Sequence, residues 1–234
     1  MPTVKVSDIN MYYEISGDGE PLVLIAGLGT DLTIYRPIID RLSKKYRVVA
    51  FDNRGVGRTD KPDIPYTIEM MADDTAGLLR ATGIKQAHVL GFSMGGRIAM
   101  ALALQHPDLV KSLILTSTSP RQRNTRSMLR LRLMSLMPTR RLRKYPQPYY
   151  AFNRQLIESR SYDCSDRLSE IKVPTLILHG TKDKLAPLET AEAMNKRIKG
   201  SEMKTYEGGH IFFMMSQEKF CNAVLDWMGS DHKA

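Results

Sequence analysis

The sequence predicts an α/β fold built on a mainly parallel sheet, and three observations carry that expectation. Short β-rich runs alternate with helical patterns along most of the 234 residues. Several of those runs are apolar without interruption, which marks strands covered on both faces. One of them, Ala87–Phe92, passes through a glycine-flanked turn straight into a small-residue helical pattern that begins at Met94.

The runs can be taken in order. Thr3–Ser7 and Asn10–Ser16 alternate apolar and polar residues and read as an antiparallel opening hairpin. Pro21–Ala26, Tyr46–Phe51 and Ala87–Phe92 are buried strands. Val110–Thr116 and Val173–His179 complete the central sheet, with Met203–Tyr206 as its last strand. Helical patterns fall between them at 33–44, 67–82, 94–105, 187–198 and 211–228.

Ser119–Leu168 breaks the rhythm. Met128, Leu129, Leu131, Leu133, Met134, Leu136 and Met137 recur at near-helical spacing, and Pro138, Pro146 and Pro148 interrupt it. The segment reads as two or three short helices inserted between sheet strands, over the carboxyl ends where open α/β sheets bind ligands. It also holds the charge. The chain carries a net +9, and Arg121–Arg167 alone has eleven Arg and one Lys against Glu158, Asp163 and Asp166, so the remainder is neutral. A pI near 9.5 is therefore a property of one segment. Nucleic acid is not an expected partner, because no binding module accompanies the charge.

Three readings of the basic segment stay open: a solvated face, recruitment of an anionic substrate, or contact of the Met/Arg stretch with anionic lipid. No apolar run reaches membrane-spanning length, and the N-terminus lacks a signal-peptide layout. Cys164 and Cys221 have neither pairing nor metal-ligand spacing and read as reduced thiols, with a cytoplasmic location as the expectation.

The chemistry centres on Gly91-Phe92-Ser93-Met94-Gly95. A strand, a sharp turn and a helix would lift the Ser93 hydroxyl out of the sheet, with a helix N-terminus behind it. A serine hydroxyl needs a base, and the base needs an orienting acid. His210 follows two glycines after the last strand, and Asp183 opens the loop after the Leu176–His179 run. The order Ser93, Asp183, His210 fits a triad. No acid occupies Leu115–Ser119, the other strand end that could supply one. His88, His106, His179 and His232 read as structural or tail residues. Backbone N–H groups of Met94, at the helix start, and Leu28, in the Ala26–Gly29 turn, are the expected oxyanion donors. Phe213, Met214 and Met215 are candidates for an adaptable apolar acyl pocket.

On Ala26–Gly29, Asp52–Thr59, Gly91–Gly95, Asp183 in its His-Gly-x-x-Asp setting and Gly209-His210, the chain resembles the α/β-hydrolase fold family, in the small group that includes bacterial esterases and enol-lactonases. The resemblance spans nearly everything except the Arg-rich insertion. It implies an eight-stranded, mostly parallel sheet flanked by helices, with a core of residues 1–118 and 168–234 and a short helical cap at 119–167. It also implies a serine hydrolase of carboxylic esters or lactones, needing no metal or organic cofactor, with Asp52, Arg54, Gly55 and Gly57 forming a structural loop. Two departures stand out: Ala26-Gly27 replaces the His-Gly of many relatives, and the cap is short. Alternatives are a carbon–carbon bond hydrolase of a ring-cleavage dienoate and a ligand-binding protein on the same scaffold. An aspartate nucleophile, as in epoxide hydrolases and haloalkane dehalogenases, is disfavoured by Ser93.

Overall fold

A computed structural model describes residues 2–121, 145 and 147–230. Its centre is one eight-stranded sheet. In chain order the strands are β1 (Thr3–Val6), β2 (Ile9–Ser16), β3 (Glu20–Ile25), β4 (Tyr46–Phe51), β5 (Ala87–Phe92), β6 (Val110–Thr116), β7 (Thr175–Gly180) and β8 (Glu202–Tyr206). They lie side by side as β1-β2-β4-β3-β5-β6-β7-β8. β1 and β2 form the expected hairpin, with Thr3 opposite Tyr12 and Val6 opposite Ile9. β2 pairs antiparallel with β4, and every later pairing is parallel.

The helices are α1 (Arg36–Leu42), α2 (Ile68–Ala81), α3 (Met94–Gln105), α4 (Tyr149–Ser161), α5 (Leu188–Arg197), α6 (Phe212–Met215) and α7 (Gln217–Met228). Successive strand residues face opposite sides, so the sheet builds two cores. Val23, Ile25, Val89 and Ile177 face α2, α3 and α5, against Met71, Ile98, Ala99 and Met194. Leu22, Leu24, Leu90 and Leu178 face α1, α6 and α7, against Ile38, Leu42, Phe212, Phe220 and Val224. Among the described residues no helix is long and apolar enough to cross a membrane.

The structure refines several expected boundaries. The 33–44 helix divides into a 3-10 turn, Leu32–Tyr35, and α1; the Asp31 side chain caps the turn by accepting from the Thr33 N–H. The 211–228 helix breaks at Ser216, whose φ of −128° and ψ of 45° leave the helical region. β7 starts at Thr175, after Pro174, which has no N–H for the ladder but still accepts from Leu113 N–H at 2.9 Å. α2 starts where Thr67 caps it, its hydroxyl accepting from Met70 N–H at 2.9 Å.

The topology places the site. From β3 the chain moves outward to β4, then crosses back to β5 on the other side of β3. The reversal lies between β3 and β5, so their carboxyl ends frame the crevice that open α/β sheets use for ligands. Ala26–Gly29 leaves one of those ends and Ser93 leaves the other.

Candidate active site

Ser93 sits at a backbone conformation that L-residues rarely adopt, φ 56° and ψ −119°. Such strain costs about 1–3 kcal/mol and persists only where the surroundings over-determine it. Here they do. Ser93 N–H donates to Thr116 O at 3.0 Å, and Ser93 O accepts from Gly96 N–H at 3.0 Å and from the Thr118 hydroxyl at 2.7 Å. The flanking glycines are steric necessities. A Cβ on Gly95 would overlap the Ile25 carbonyl oxygen, and one on Gly96 would stand 2.6 Å from Thr118. α3 then begins at Met94, directly behind the serine.

His210 reaches Ser93 from the loop that follows the edge strand β8. Its Nε2 is 2.9 Å from Ser93 Oγ, and its Nδ1 is 2.8 Å from Asp183 Oδ2. The loops carrying the two partners are stitched together: Thr181 N–H donates to Tyr206 O and Lys182 N–H to Gly208 O, both at 2.8 Å. Gly180 allows this approach, since a Cβ there would be 2.7 Å from Gly208 O. The Asp183 side chain is wholly buried, and its Oδ1 accepts from Leu185 N–H at 2.8 Å and Ala186 N–H at 3.0 Å. Those bonds leave Oδ2 for His210, and a carboxylate there fixes the imidazole with its proton on Nδ1 and its lone pair toward Ser93.

Three other histidines are placed away from Ser93. His179 lies beneath Asp183 with its Nε2 at 2.7 Å from Ala186 O. Burial pushes its pKa below the ordinary value, so it is neutral at pH 7 and its 3.7 Å approach to Asp183 Oδ2 is not an ion pair. His106 meets Asp73 at the surface. His88, at the amino end of β5, lies 2.7 Å from Ser112 Oγ through Nδ1 and 3.2 Å from Glu20 Oε2 through Nε2. His232 lies outside the described residues.

Met94 follows Ser93 directly, and the turn that carries Leu28 passes beside the serine at Gly27. Met94 N–H is the first of α3 and has no intrahelical acceptor. On the other side, Gly27 packs so close that a Cβ on it would be 3.1 Å from Ser93 Cβ. Among the described residues neither Met94 N–H nor Leu28 N–H donates a hydrogen bond. The Ala26–Gly29 turn lacks the histidine of many relatives, and other groups hold it. Asn53 Nδ2 donates to Ala26 O at 3.0 Å, and the fully buried Gln155 of α4 accepts from Gly29 N–H at 3.1 Å. Sequence reading did not single out either side chain. The empty histidine position at Ala26 was the one available hint that something else must hold the turn.

The Asp52–Thr59 loop is structural, as the resemblance implied. Asp52 Oδ1 accepts from Leu32 N–H and Oδ2 from Arg58 N–H, each at 2.8 Å. Arg54 is buried and forks onto Asp74, with Nε to Oδ2 at 2.6 Å and Nη2 to Oδ1 at 2.7 Å, and also reaches Asp8 at 3.0 Å. Gly55 and Gly57 have φ of 84° and 55°, and side chains on them would meet Tyr66 and Asp52.

The segment between β6 and β7 is anchored at both ends of its described part. At its neck Arg121 bridges Asp163, and Cys164 N–H donates to Pro120 O at 3.1 Å. α4 binds the loop before α2 through Tyr150 to Lys61 O at 2.6 Å and Arg154 to Asp63, and the start of α2 through Glu158, which accepts from Ile68 N–H at 3.1 Å. Arg97 of α3 donates to Ser119 O and to both oxygens of Ser159; burial draws its pKa down to about 10, still protonated at neutral pH. The Met/Arg stretch of Met128–Met137, with Arg126, Arg140, Arg141 and Arg143, lies outside the described residues.

The apolar surroundings differ from expectation. Phe213 is buried in the core against Phe92 and Tyr35, Met214 packs against the same core, and Met215 is 83% exposed. α6 is one short turn, and its Phe212 and Phe213 are buried in the core. Instead Leu28, Phe152, Leu156 and Leu185 form a small apolar cluster that joins the Ala26–Gly29 turn, α4 and the Asp183 loop.

A family model described as the α/β hydrolase fold matches residues 20–142. This chain belongs to that family. A putative carbamate hydrolase, RutD, of Azorhizobium caulinodans is 29% identical over 98% of each chain. Among solved structures, an esterase from Exiguobacterium antarcticum is 27% identical with a TM-score of 0.88, covering 97% of this chain and 99% of its own. The enol-lactonase of Burkholderia xenovorans LB400 is likewise 27% identical with a TM-score of 0.85, covering 98% and 100%. The α/β-hydrolase chain described here is thus matched along its length by hydrolases.

Proposed function

We propose that this hydrolase cleaves carboxylic esters or lactones through an acyl-enzyme on Ser93. The observation that carries the reading is the relay at the strained turn, with Ser93 Oγ 2.9 Å from His210 Nε2 and His210 Nδ1 2.8 Å from Asp183. His210 Nε2 takes the hydroxyl proton while Oγ bonds the acyl carbon, and the carbonyl electrons move onto oxygen. The Met94 and Leu28 N–H groups receive that oxyanion. As the intermediate collapses, His210 gives its proton to the leaving alkoxide, which for a lactone stays tethered as the hydroxyl of the product. Water enters, loses a proton to His210 and attacks the ester; collapse returns the proton to Ser93 and frees the acid. Asp183 holds the imidazole tautomer and offsets the positive charge of the imidazolium.

α4, from the described part of the 119–167 segment, serves in this reading as part of a short lid over the crevice. Leu28, Phe152, Leu156 and Leu185 supply an apolar wall for a modest acyl group. Arg121, Arg154 and Arg167 already face Asp163, Asp63 and Glu170 at the surface, which favours a solvated, ion-paired face for that part of the basic segment.

The likeness to a putative carbamate hydrolase favours a second reading, in which the same attack falls on a carbamate carbonyl. Turnover of a p-nitrophenyl ester series, a lactone and an aryl carbamate separates the two. The ester reading predicts the higher kcat/KM on the ester or lactone, and a reversed order gives the carbamate. Ser93→Ala should lower turnover of the preferred substrate by about 10⁴-fold or more; near-normal turnover would remove Ser93 as nucleophile.

A further inference from the structure

The turn that carries Leu28 is held at three peptides in a row, and one of the holds comes from a helix far along the chain. Asn53 Nδ2 donates to Ala26 O at 3.0 Å. Thr30 donates to Gly27 O twice, from its N–H at 3.2 Å and its hydroxyl at 2.9 Å. Gly29 N–H donates to Gln155 Oε1 at 3.1 Å, across 126 residues of sequence.

In a trans peptide the carbonyl and the next N–H point in opposite directions. Fixing Gly27 O toward Thr30 therefore aims Leu28 N–H the other way. The position of that N–H also depends on the following peptide, which meets its own at the Leu28 Cα. Gly29 has φ 63° at the third position of this turn, the position that needs a positive φ in one turn type and a negative one in the other. Passing between those types swings the Leu28–Gly29 peptide through half a revolution. Gln155 opposes that swing, because it would bring a carbonyl oxygen against Oε1 in place of an N–H.

The amide of Gln155 has its own orientation fixed. Nε2 donates to Arg54 O at 2.8 Å, and Oε1 also accepts from Gln147 Nε2 at 3.2 Å. Arg54 is itself clamped by Asp74 and Asp8. A reversed amide would face a donor with a donor and an acceptor with an acceptor.

We infer that Gln155 is a positioning residue for the oxyanion hole: it locks the Leu28–Gly29 peptide so that the seating of α4 sets the rate of acyl transfer. The inference rests on the Ser93 reading above. It assigns α4 a part in turnover that is separate from covering the crevice.

The experiment compares wild type, Ser93→Ala, Gln155→Met and Gln155→Asn on a p-nitrophenyl ester. It also measures inhibition by a trifluoromethyl ketone, which forms a tetrahedral adduct with an oxyanion, and by the matching methyl ketone, which binds without one. Gln155→Met removes all three hydrogen bonds of the amide at similar volume and should lower kcat by about 10- to 100-fold, short of the loss of an oxyanion donor outright. KM and the methyl ketone Ki should stay near wild type, while the trifluoromethyl ketone Ki rises by the same factor as kcat falls. Gln155→Asn, one methylene shorter, can serve one partner at a time and should show a smaller loss of the same kind. It carries the test if the Met variant does not fold. Wild-type kcat in the folded Gln155 variants, with Ser93→Ala inactive, would overturn the inference alone, as would equal weakening of both ketones together with KM. Full hydrolysis by Ser93→Ala would overturn the underlying reading and this inference with it.

Discussion

At the carboxyl ends of the strands, His210 joins Ser93 to Asp183; at the amino ends of β3, β5 and β6, His88 joins Ser112 to Glu20. Residue types and distances are nearly the same in the two constellations, and their surroundings are not. Ser93 occupies a strained turn before a helix N-terminus, whereas Ser112 lies within β6 as an ordinary, buried strand residue. The Asp183 side chain is 0% exposed and held by two N–H donors, while that of Glu20 is 58% exposed and bonded to Lys111, which holds its pKa below the usual range. The imidazoles also face opposite ways, Nε2 toward Ser93 and Nδ1 toward Ser112. On the proposed mechanism, a serine, a histidine and a carboxylate in contact are therefore insufficient for acyl transfer. The proposal assigns the difference to a lifted hydroxyl, a fixed acid and N–H groups placed for the oxyanion.

That contrast can be broken most directly at the acids. Asp183→Asn should cost about 10⁴ in kcat, because the amide cannot hold the required imidazole tautomer, whereas Glu20→Gln should leave ester turnover within about twofold of wild type. Comparable losses from both would put the two constellations on the same footing. The next largest effect concerns the turn itself. Gly95→Ala forces a methyl group against the Ile25 carbonyl oxygen and should destabilise the fold by about 1–3 kcal/mol, read as a lowered Tm. An unchanged Tm would mean that α3 can retreat from β3.

Ser112→Ala leaves the buried His88 without its 2.7 Å partner, at a cost of about 1 kcal/mol in denaturant unfolding and no change in kcat. The smallest effect is a pH dependence. His179 is neutral in the fold because burial lowers its pKa below 6.5, so between that lowered value and 6.5 the unfolded chain binds more protons. Its contribution to stability is complete above about pH 6.5 and is lost as the pH falls. His179→Gln, which keeps a donor for Ala186 O, should flatten the fall in Tm between pH 7 and pH 5; an unaltered slope would assign that fall to other groups.

Much of this was legible in the sequence because it is local. Each central strand is one apolar run, and Ser93, Asp183 and His210 each follow a strand at a turn marked by glycine or by a loop acid. The break at Ser216 was hidden because apolar residues continue at helical spacing through it, and tertiary packing of Phe212 and Phe213 decides where the turn ends. The contribution of Gln155 was hidden for another reason. A polar residue on a helix carries no periodic signature, and its partners Gly29 and Arg54 lie 126 and 101 residues away. Likewise Phe213 and Met214 follow His210 in sequence yet pack into the core, while the apolar cluster at the Ala26–Gly29 turn is drawn from three separate segments.

The central claim is that Ser93, and not its counterpart Ser112, carries the acyl group. Rapid acid quench of the protein turning over a slow p-nitrophenyl ester, followed by intact-mass and peptide analysis, tests it directly. One acyl adduct per chain, confined to the peptide containing Ser93 and absent in Ser93→Ala, is the predicted result. An adduct on Ser112, or one that persists in Ser93→Ala, would contradict it.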